Sequence, residues 1–306
     1  MLDRKGLHLR AALFASVRRF FRTRGFLEVD TPIRQPVIIP ESNIHPLAAE
    51  GQYLQTSPEL CMKRILAAGC DSIFQICPCF RKEERGRRHL EEFTMLEWYR
   101  RDADYLQLMR DCEELLVEIA GSTMPGFPDS EKLPEGGTFP GLKLTVPWER
   151  LTVQEAFSRY SPLAFDRCIA EDCFDEMLVE YVEPNLGWPV PTFLHDYPVE
   201  MATLAKCRED DPTRVERFEL YVNGMELANG FSELTDADEQ RRRFIHEIVI
   251  IEGSGQLSAG IPERFLADLA SIEAAAGIAL GMDRLFMLFT GEKDISRAVS
   301  FAPGDF

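Results

Sequence analysis

No apolar run among the 306 residues reaches the ~18 that a membrane-spanning helix needs, so an integral helical membrane protein is excluded. Positive charge is scarce as well: 34 Lys and Arg stand against 51 Asp and Glu, a formal net charge of −17. Phosphate attraction scales with the number of Lys and Arg contacts, which argues against a general nucleic-acid binder. A local basic patch stays open at Arg85, Arg87 and Arg88. Eight cysteines are too sparse for a disulfide framework and fit a reduced compartment. Cys77-Pro78-Cys79 lacks the second pair that a zinc site needs, and the five histidines are scattered. The phosphate loop GxxxxGK(S/T), HExxH and GxSxG are all missing. GSGQLSAG (253–260) lacks the glycine spacing of a dinucleotide-binding turn.

Apolar residues make up 45% of the chain and charged residues 28%, which is ordinary for a folded chain with a sizeable core. The length suits one large domain or two modest ones. Leu9, Ala12, Leu13, Val17, Phe20 and Phe21 recur at helical spacing, so the N-terminus reads as an amphipathic helix. It has no small-residue cleavage site of the kind a targeting signal carries, and the expected localisation is cytoplasmic. Ser57-Pro58 predicts an N-cap and first helical position, with Gly69 closing that helix. Residues 73–81 and 93–99 read as strands, 104–120 as a helix, and the Gly- and Pro-rich stretch from Gly121 to Pro147 as a long loop. Thr152 and Glu155 predict a capping box that opens an interrupted helical region to about residue 182, followed by a strand near 190–196. Asn223-Gly224 predicts a two-residue hairpin turn inside 215–234. A helix follows at about 236–250, and 277–289 reads as a strand entering a helix. Strand pairs with surrounding helices indicate an antiparallel α+β fold.

Two faces stand out chemically. With period 2, Phe93, Met95, Glu97 and Tyr99 share one side of their strand, an arrangement suited to a flat ring and a cationic group. A half-buried strand packing its aromatics into a core has the same pattern, and the residues alone leave both open. The predicted turn pairs 222 with 225 and 219 with 228, making Glu219 and Glu226 diagonal neighbours on one face. Two such carboxylates repel unless a cation, a proton or solvent relieves them, and Mg²⁺ shared with phosphates is one such cation. Simple solvent exposure is the alternative.

Five segments, in order, resemble the class II aminoacyl-tRNA synthetases of the lysyl subgroup. GFLEVDTPI (25–33) resembles motif 1, FRKEERGRRHLEEFTMLEWY (80–99) motif 2 and GIALGMDRLFML (277–288) motif 3. TSPEL (56–60) and GMELANGFSELTD (224–236) resemble further lysyl-type segments. The family fold is a six- to seven-stranded antiparallel sheet flanked by helices. Motif 1 begins near residue 20, which leaves no room for the anticodon-binding barrel that lysyl-tRNA synthetases carry in front. Residues 1–306 are therefore expected to be a single catalytic domain. Ala279, where lysyl-tRNA synthetases usually have glycine, points the same way: to the stand-alone elongation factor P lysine/(R)-β-lysine ligases.

The resemblance implies ATP-dependent adenylation of lysine or (R)-β-lysine and its transfer to a lysine side chain of elongation factor P. It implies Arg81 and Arg284 as catalytic residues, Arg81 bridging carboxylate and α-phosphate. Glu83 would read the adenine edge, His89 would contact the terminal phosphates, and Phe93 and Arg284 would sandwich the adenine. Leu220 and Gly281 would line the ATP site, and Glu219 and Glu226 would hold Mg²⁺. Ser57, Glu59, Tyr99, Glu226, Asn229, Glu233 and Ala279 would contact the amino acid: Glu59 its amino group, Tyr99 and Glu233 its distal ammonium, Asn229 its carboxylate. Alternation puts Asn229 opposite Glu226, so its role requires a bulge, expected at Asn229-Gly230. Motif 2 departs from the usual His-Asn-Pro-Glu-Phe, reading His89-Leu90-Glu91-Glu92-Phe93, and Lys82 replaces a usual Asn. A homodimer is implied, with no membrane partner and no tRNA. The alternatives are a truncated synthetase that charges tRNA and a silent regulatory paralogue, although the latter would be expected to have lost Arg81, Glu219, Glu226 or Arg284.

Overall fold

The N-terminal periodicity produces α1 (Arg4–Thr23), which buries Leu13, Val17, Phe20 and Phe21. Asp3 caps it by accepting from the Gly6 amide at 2.7 Å. The computed structural model describes residues 1–121, 141–256 and 258–306. After α1 come β1 (Leu27–Glu28), β2 (Arg34–Gln35), β3 (Ala48–Ala49) and β4 (Gln52–Leu54), the last three forming a small sheet in the order β2-β4-β3. Next, α2 (Glu59–Ala67) starts one residue later than expected. Its N-cap is Pro58, and the Ser57 side chain makes no capping bond because Pro58 already occupies the half-in position. Gly69, at φ +103°, does close it.

The motif 2 strands are β5 (Ser72–Phe80) and β6 (Glu92–Arg101), followed by α3 (Tyr105–Gly121). Most of the predicted long loop lies outside the described residues. Beyond it come β7 (Glu149–Thr152), α4 (Val153–Tyr160), α5 (Phe165–Ala170), α6 (Phe174–Met177) and β8 (Thr192–Pro198). Thr152 and Glu155 form the predicted capping box. The hairpin is β9 (Arg214–Val222) and β10 (Met225–Ser232). Asn223 and Gly224 both have positive φ, as the tight two-residue turn demands. The chain ends with α7 (Ala237–Gly253), α8 (Glu263–Leu269), β11 (Ala275–Gly281) and α9 (Met282–Thr290).

The main sheet has eight strands in the order β1-β5-β6-β11-β10-β9-β8-β7, and it is mixed rather than wholly antiparallel. β1 pairs with β5, and β7 with β8, in parallel. Both parallel pairs span crossovers that contain helices, the connection a parallel pair requires. One sheet face packs on α1 and α3 through Phe74, Trp98, Phe193, Phe218 and Ile278. The helices α4–α6 add a second core around Phe157, Phe174 and Tyr197. The other face, between that core and a third built from α2, α7 and α8, stays open in its centre and carries the site.

The hairpin register corrects two expectations. Glu219 pairs with Asn229 and Leu220 with Ala228, and the bulge falls between Glu226 and Ala228 rather than at Asn229-Gly230. Pairing begins at the turn as expected (Val222 with Met225, Tyr221 with Glu226), and the extra residue is Leu227. This one-residue shift brings Asn229 round to the face of Glu219 and Glu226.

Candidate active site

The open face holds a cavity of about 310 Å³. Arg81, Phe93 and Tyr99 reach it from the motif 2 strands, Ser57 and Glu59 from the start of α2, and Glu226 and Asn229 from β10. Ala279, Gly281 and Arg284 come from β11 and α9, and His89 from the motif 2 loop. These eleven expected residues, scattered through the chain, line one cavity.

Four others do not line it. Leu220 alternates to the opposite face and packs in the main core, leaving only its backbone on this side. Glu83, at φ +70°, points outward with its carboxylate 3.1 Å from Lys82, and Glu84 lines the cavity in its place, 3.6 Å from Arg81. Glu233 sits behind Gly277, where an added Cβ would lie 2.6 Å from its Oε1 and within 2.1 Å of the Tyr99 ring. Only glycine permits that approach. Glu219 lies beneath the cavity rim. Its Oε1 accepts from Arg217 at 2.8 Å and its Oε2 from the Tyr197 and Tyr221 hydroxyls at 2.6 and 2.7 Å. Burial, and then the charge of Glu226, raise its pKa despite these donors.

Two buried charge networks were not legible in the sequence. In the first, Lys63, 2% exposed, pairs with Glu59 at 2.5 Å and with Glu233. Burial alone would lower the Lys63 pKa, but Glu233 and Glu59 reverse that and raise it. Burial lifts Glu233 to about 8 against the pull of Lys63. Its Oε1 has no hydrogen-bond partner, and neither does Oε2 of Glu97, a carboxylate 1% exposed that accepts from the Tyr99 hydroxyl at 2.6 Å. Burial and then Glu59 push the Glu97 pKa well up. The alternation placed Glu97 on this face, but only the structure shows that one of its oxygens is buried and unsatisfied. The i,i+4 spacing of Glu59 and Lys63 was the one sequence signal for Lys63.

The second network fixes motif 3. Arg10 of α1 pairs with Asp283 Oδ1 at 2.7 Å and donates to Thr94 Oγ1 and to the Ala298 carbonyl, while Asp283 Oδ2 accepts from the Thr94 amide at 2.7 Å. Beside it, Arg284 donates to the Glu226 carbonyl at 2.8 Å, to its Oε2 at 3.1 Å and to His89 Nε2 at 2.7 Å. Burial and then Arg284 lower the His89 pKa, as fits a neutral ring accepting that bond. Arg81 lies 5.2 Å above the Phe93 ring.

The unusual motif 2 sequence has a structural counterpart. Glu91 Oε1 accepts from the Glu83 amide and its Oε2 from Arg85, each at 2.8 Å, so its carboxylate clasps the neck of the loop. Arg85 is thereby paired within the chain, and Arg88 donates to the Gly224 carbonyl at 2.6 Å.

The sequence of residues 3–304 matches the family of class II tRNA synthetases (D, K and N). Curated relatives cover nearly the whole chain. The elongation factor P–(R)-β-lysine ligase of Pectobacterium atrosepticum is 38% identical over 96% of this chain and 93% of that protein. The proteins of the same name from Salmonella gallinarum and Proteus mirabilis are 37% and 38% identical, each over 95% of this chain and 93% of theirs. A motif-bearing antiparallel core with one shared cavity, and this near full-length similarity, lead to one conclusion: the chain belongs to the class II tRNA synthetase family, in the group of the elongation factor P–(R)-β-lysine ligases.

Proposed function

We propose that this protein is an ATP-dependent ligase that adenylates (R)-β-lysine or lysine and transfers it to a lysine side chain of elongation factor P, residues 1–306 acting as one catalytic unit. The observation that carries the reading is a cavity with Arg81 and Arg284 on one side and Glu59, Glu97 and, behind Gly277, Glu233 on the other, in a chain so similar to enzymes of that name. Such a site accommodates a molecule with a reactive carboxylate and two ammonium groups.

In the first step a carboxylate oxygen of the amino acid attacks the α-phosphorus of ATP. A mixed anhydride forms, the bond to the bridging oxygen breaks, and pyrophosphate leaves. Arg81 neutralises the charge that develops on the α-phosphate, an electrostatic role that needs a fixed cation in a site shielded from water. Phe93 and Arg284 form the two sides of the adenine slot, which requires Arg284 to exchange its contacts with Glu226 and His89 for the nucleotide, and His89 contacts the terminal phosphates. Glu97, through its unpartnered oxygen, and Glu233 receive the distal ammonium, with Tyr99 orienting Glu97. Glu59 receives the amino group near the carboxylate, and the bulge at Leu227 aims Asn229 at the carboxylate. In the second step the acceptor amine attacks the anhydride carbonyl, forming an amide, and AMP leaves.

Glu219 and Glu226 suit Mg²⁺. They are diagonal neighbours, burial and then the charge of Glu226 raise the Glu219 pKa, and no cluster of three metal-ligating side chains occurs among the described residues, so phosphate oxygens and water would complete the shell. Bound there, the ion would neutralise phosphate charge. The exposed Leu27 and Ile33 of motif 1, 54% and 42% accessible, support a homodimer formed through that segment. The eight free thiols and the absence, among the described residues, of any helix long and apolar enough to cross a membrane support a cytoplasmic location.

The test is amino-acid-dependent ATP–pyrophosphate exchange with (R)-β-lysine, (S)-β-lysine, L-lysine and the other amino acids, followed by transfer to elongation factor P and to tRNA. Exchange with a lysine isomer and transfer to the protein is expected. Exchange followed by transfer to tRNA alone would replace this reading with tRNA charging. No exchange by a folded dimer would favour a silent paralogue.

A further inference from the structure

Between β2 and β3, residues 40–45 are held over the cavity from several directions. The Ser42 amide donates to Glu247 Oε2 of α7 at 2.7 Å, the His45 carbonyl accepts from the Lys82 amide at 2.7 Å, and His45 Nδ1 lies 2.7 Å from Gln256 Nε2. Within the segment the Ile44 amide donates back to the Glu41 carbonyl at 3.2 Å. Pinned in this way, the segment presents Glu41 and Ile44 to the cavity, next to Ser57, Glu59 and Arg81. None of the motifs includes it.

Six carboxylates line the cavity, and five of them have a partner within the protein. Glu59 has Lys63, Glu84 has Arg81, Glu97 has Tyr99, Glu226 has Arg284 and Asp283 has Arg10. Of the six, only Glu41 has neither a hydrogen bond nor an ion pair to its carboxylate. A half-buried carboxylate left unpaired in a cavity is costly unless a cation completes it. The groups whose charge reaches it are Glu59 and Glu247, which disfavour its ionisation, and Arg81 and Arg217, which favour it. Burial and Glu59 prevail and lift its pKa to about 7.

We infer that Glu41 is a second receptor for the amino group nearest the reacting carboxylate of the substrate, and that together with Glu59 it sets the preference between the α- and β-amino isomers. The inference rests on the proposed function and deepens it. Asn229 holds the carboxylate beside Arg81 in that reading, so moving the amine by one methylene shifts it relative to two carboxylates rather than one. Glu59 is fixed on α2 and tied to Lys63, whereas Glu41 reaches the cavity from the segment between β2 and β3 with its capacity unused. Specificity between isomers that differ in one methylene position is then a difference of two charge-assisted hydrogen bonds.

The experiment compares wild type, Glu41→Gln and Glu41→Ala by ATP–pyrophosphate exchange and by calorimetric titration without ATP, using (R)-β-lysine and L-lysine. Loss of one charged hydrogen bond is expected to raise KM and Kd for the favoured isomer about tenfold or more. KM for ATP should stay within twofold, and the ratio between the isomers should change at least threefold. In the wild type, KM for the amino acid should fall as pH rises through 7, and Glu41→Gln should lose the part of that dependence centred near 7 while keeping the part that Glu233 contributes near 8. Glu41→Gln conserves volume, so it reports binding even if Glu41→Ala fails to fold. An active wild type with Glu41→Gln within twofold for both isomers would overturn the role of Glu41 alone. A wild type that neither binds nor exchanges either isomer would overturn the proposed function and this inference with it.

Discussion

Replacing Arg10 with methionine should damage both stability and ATP use, although Arg10 itself does not line the cavity. Its guanidinium is 13% exposed and the Asp283 carboxylate 2%. Removing one partner of such a pair leaves the other as an uncompensated buried charge, which costs about 3–5 kcal/mol. Against a total stability of roughly 5–15 kcal/mol for a folded domain, that is a large fraction. With Arg10 gone, only the Thr94 amide still opposes the burial that already raises the Asp283 pKa. The folded variant then holds a proton that the unfolded chain releases at its ordinary pKa. Its deficit should therefore be smallest in acid and grow as pH rises. Asp283→Asn in the Arg10→Met background removes the orphan charge while keeping an acceptor for the Thr94 amide, so the double variant should recover much of the loss. Urea unfolding of the four proteins at pH 5.5 and 8 measures this as a coupling of about 1–3 kcal/mol. Asp283 precedes Arg284, and Thr94 follows Phe93, so Arg10→Met should also raise KM for ATP more than KM for the amino acid. A loss below about 1 kcal/mol, or additive single effects, would refute the brace.

Two further perturbations address the loop and the substrate charges. Glu91→Ala should raise KM for ATP several-fold with little change in KM for lysine, because it frees the Glu83 amide and Arg85 at the loop neck, whereas Glu91→Gln should retain most of the activity by still accepting from the amide. Equal effects on both substrates would show that the clasp is not specific to the nucleotide side. Binding of the diamino acid should release protons between pH 6 and 8, because Glu41 and Glu233, lifted to about 7 and 8, ionise against its ammonium groups. Titration in two buffers of different ionisation enthalpy measures that release. The unliganded protein should lose stability over the range from the ordinary carboxylate pKa up to about 8, since its folded form binds more protons there than its unfolded form.

Much of the fold could be read because its signals are local. The helical periodicity of α1, the capping box at Thr152 and Glu155, the Asn223-Gly224 turn and the alternation through Phe93, Met95, Glu97 and Tyr99 each depend on residues a few positions apart. The bulge at Leu227 was misplaced because an extra residue in a strand requires no particular side chain, and only pairing with β9 locates it. The parallel edge strands went unseen because β1 and β7 are too short to show any period. Glu83 was placed in the cavity by its position in the motif, but its positive φ turns its side chain outward and Glu84 inward. The pairings of Lys63 with Glu233 and of Arg10 with Asp283 join residues far apart in the chain, and a single sequence has no signal for them. Such long-range partners decide the electrostatics of the site.

The site's balance of charge supports a diamino acid over any single-amine analogue. Without ligand, the acidic groups are kept tolerable by borrowed partners: Lys63 serves Glu59 and Glu233 together, and Glu97 is driven towards its protonated form by burial and by Glu59. An ammonium arriving near Glu97 would supply the missing countercharge and let it ionise, while an amine beside Glu59 and Glu41 would do the same at the other end. An amino acid of equal length with a neutral side chain would leave Glu97 without a countercharge and the free oxygens of Glu97 and Glu233 still buried without partners. It would gain only its apolar contacts. Sites built to satisfy a polar group reject analogues that lack it by about 10⁴–10⁵, far more than a hydrophobic pocket achieves for one methylene. By the same reasoning, the proposed isomer preference would come from the end of the cavity nearest Arg81. In the proposed reading both isomers present the same distal ammonium to Glu97 and Glu233, so only the walls at Glu59 and Glu41 would meet a different arrangement of charge.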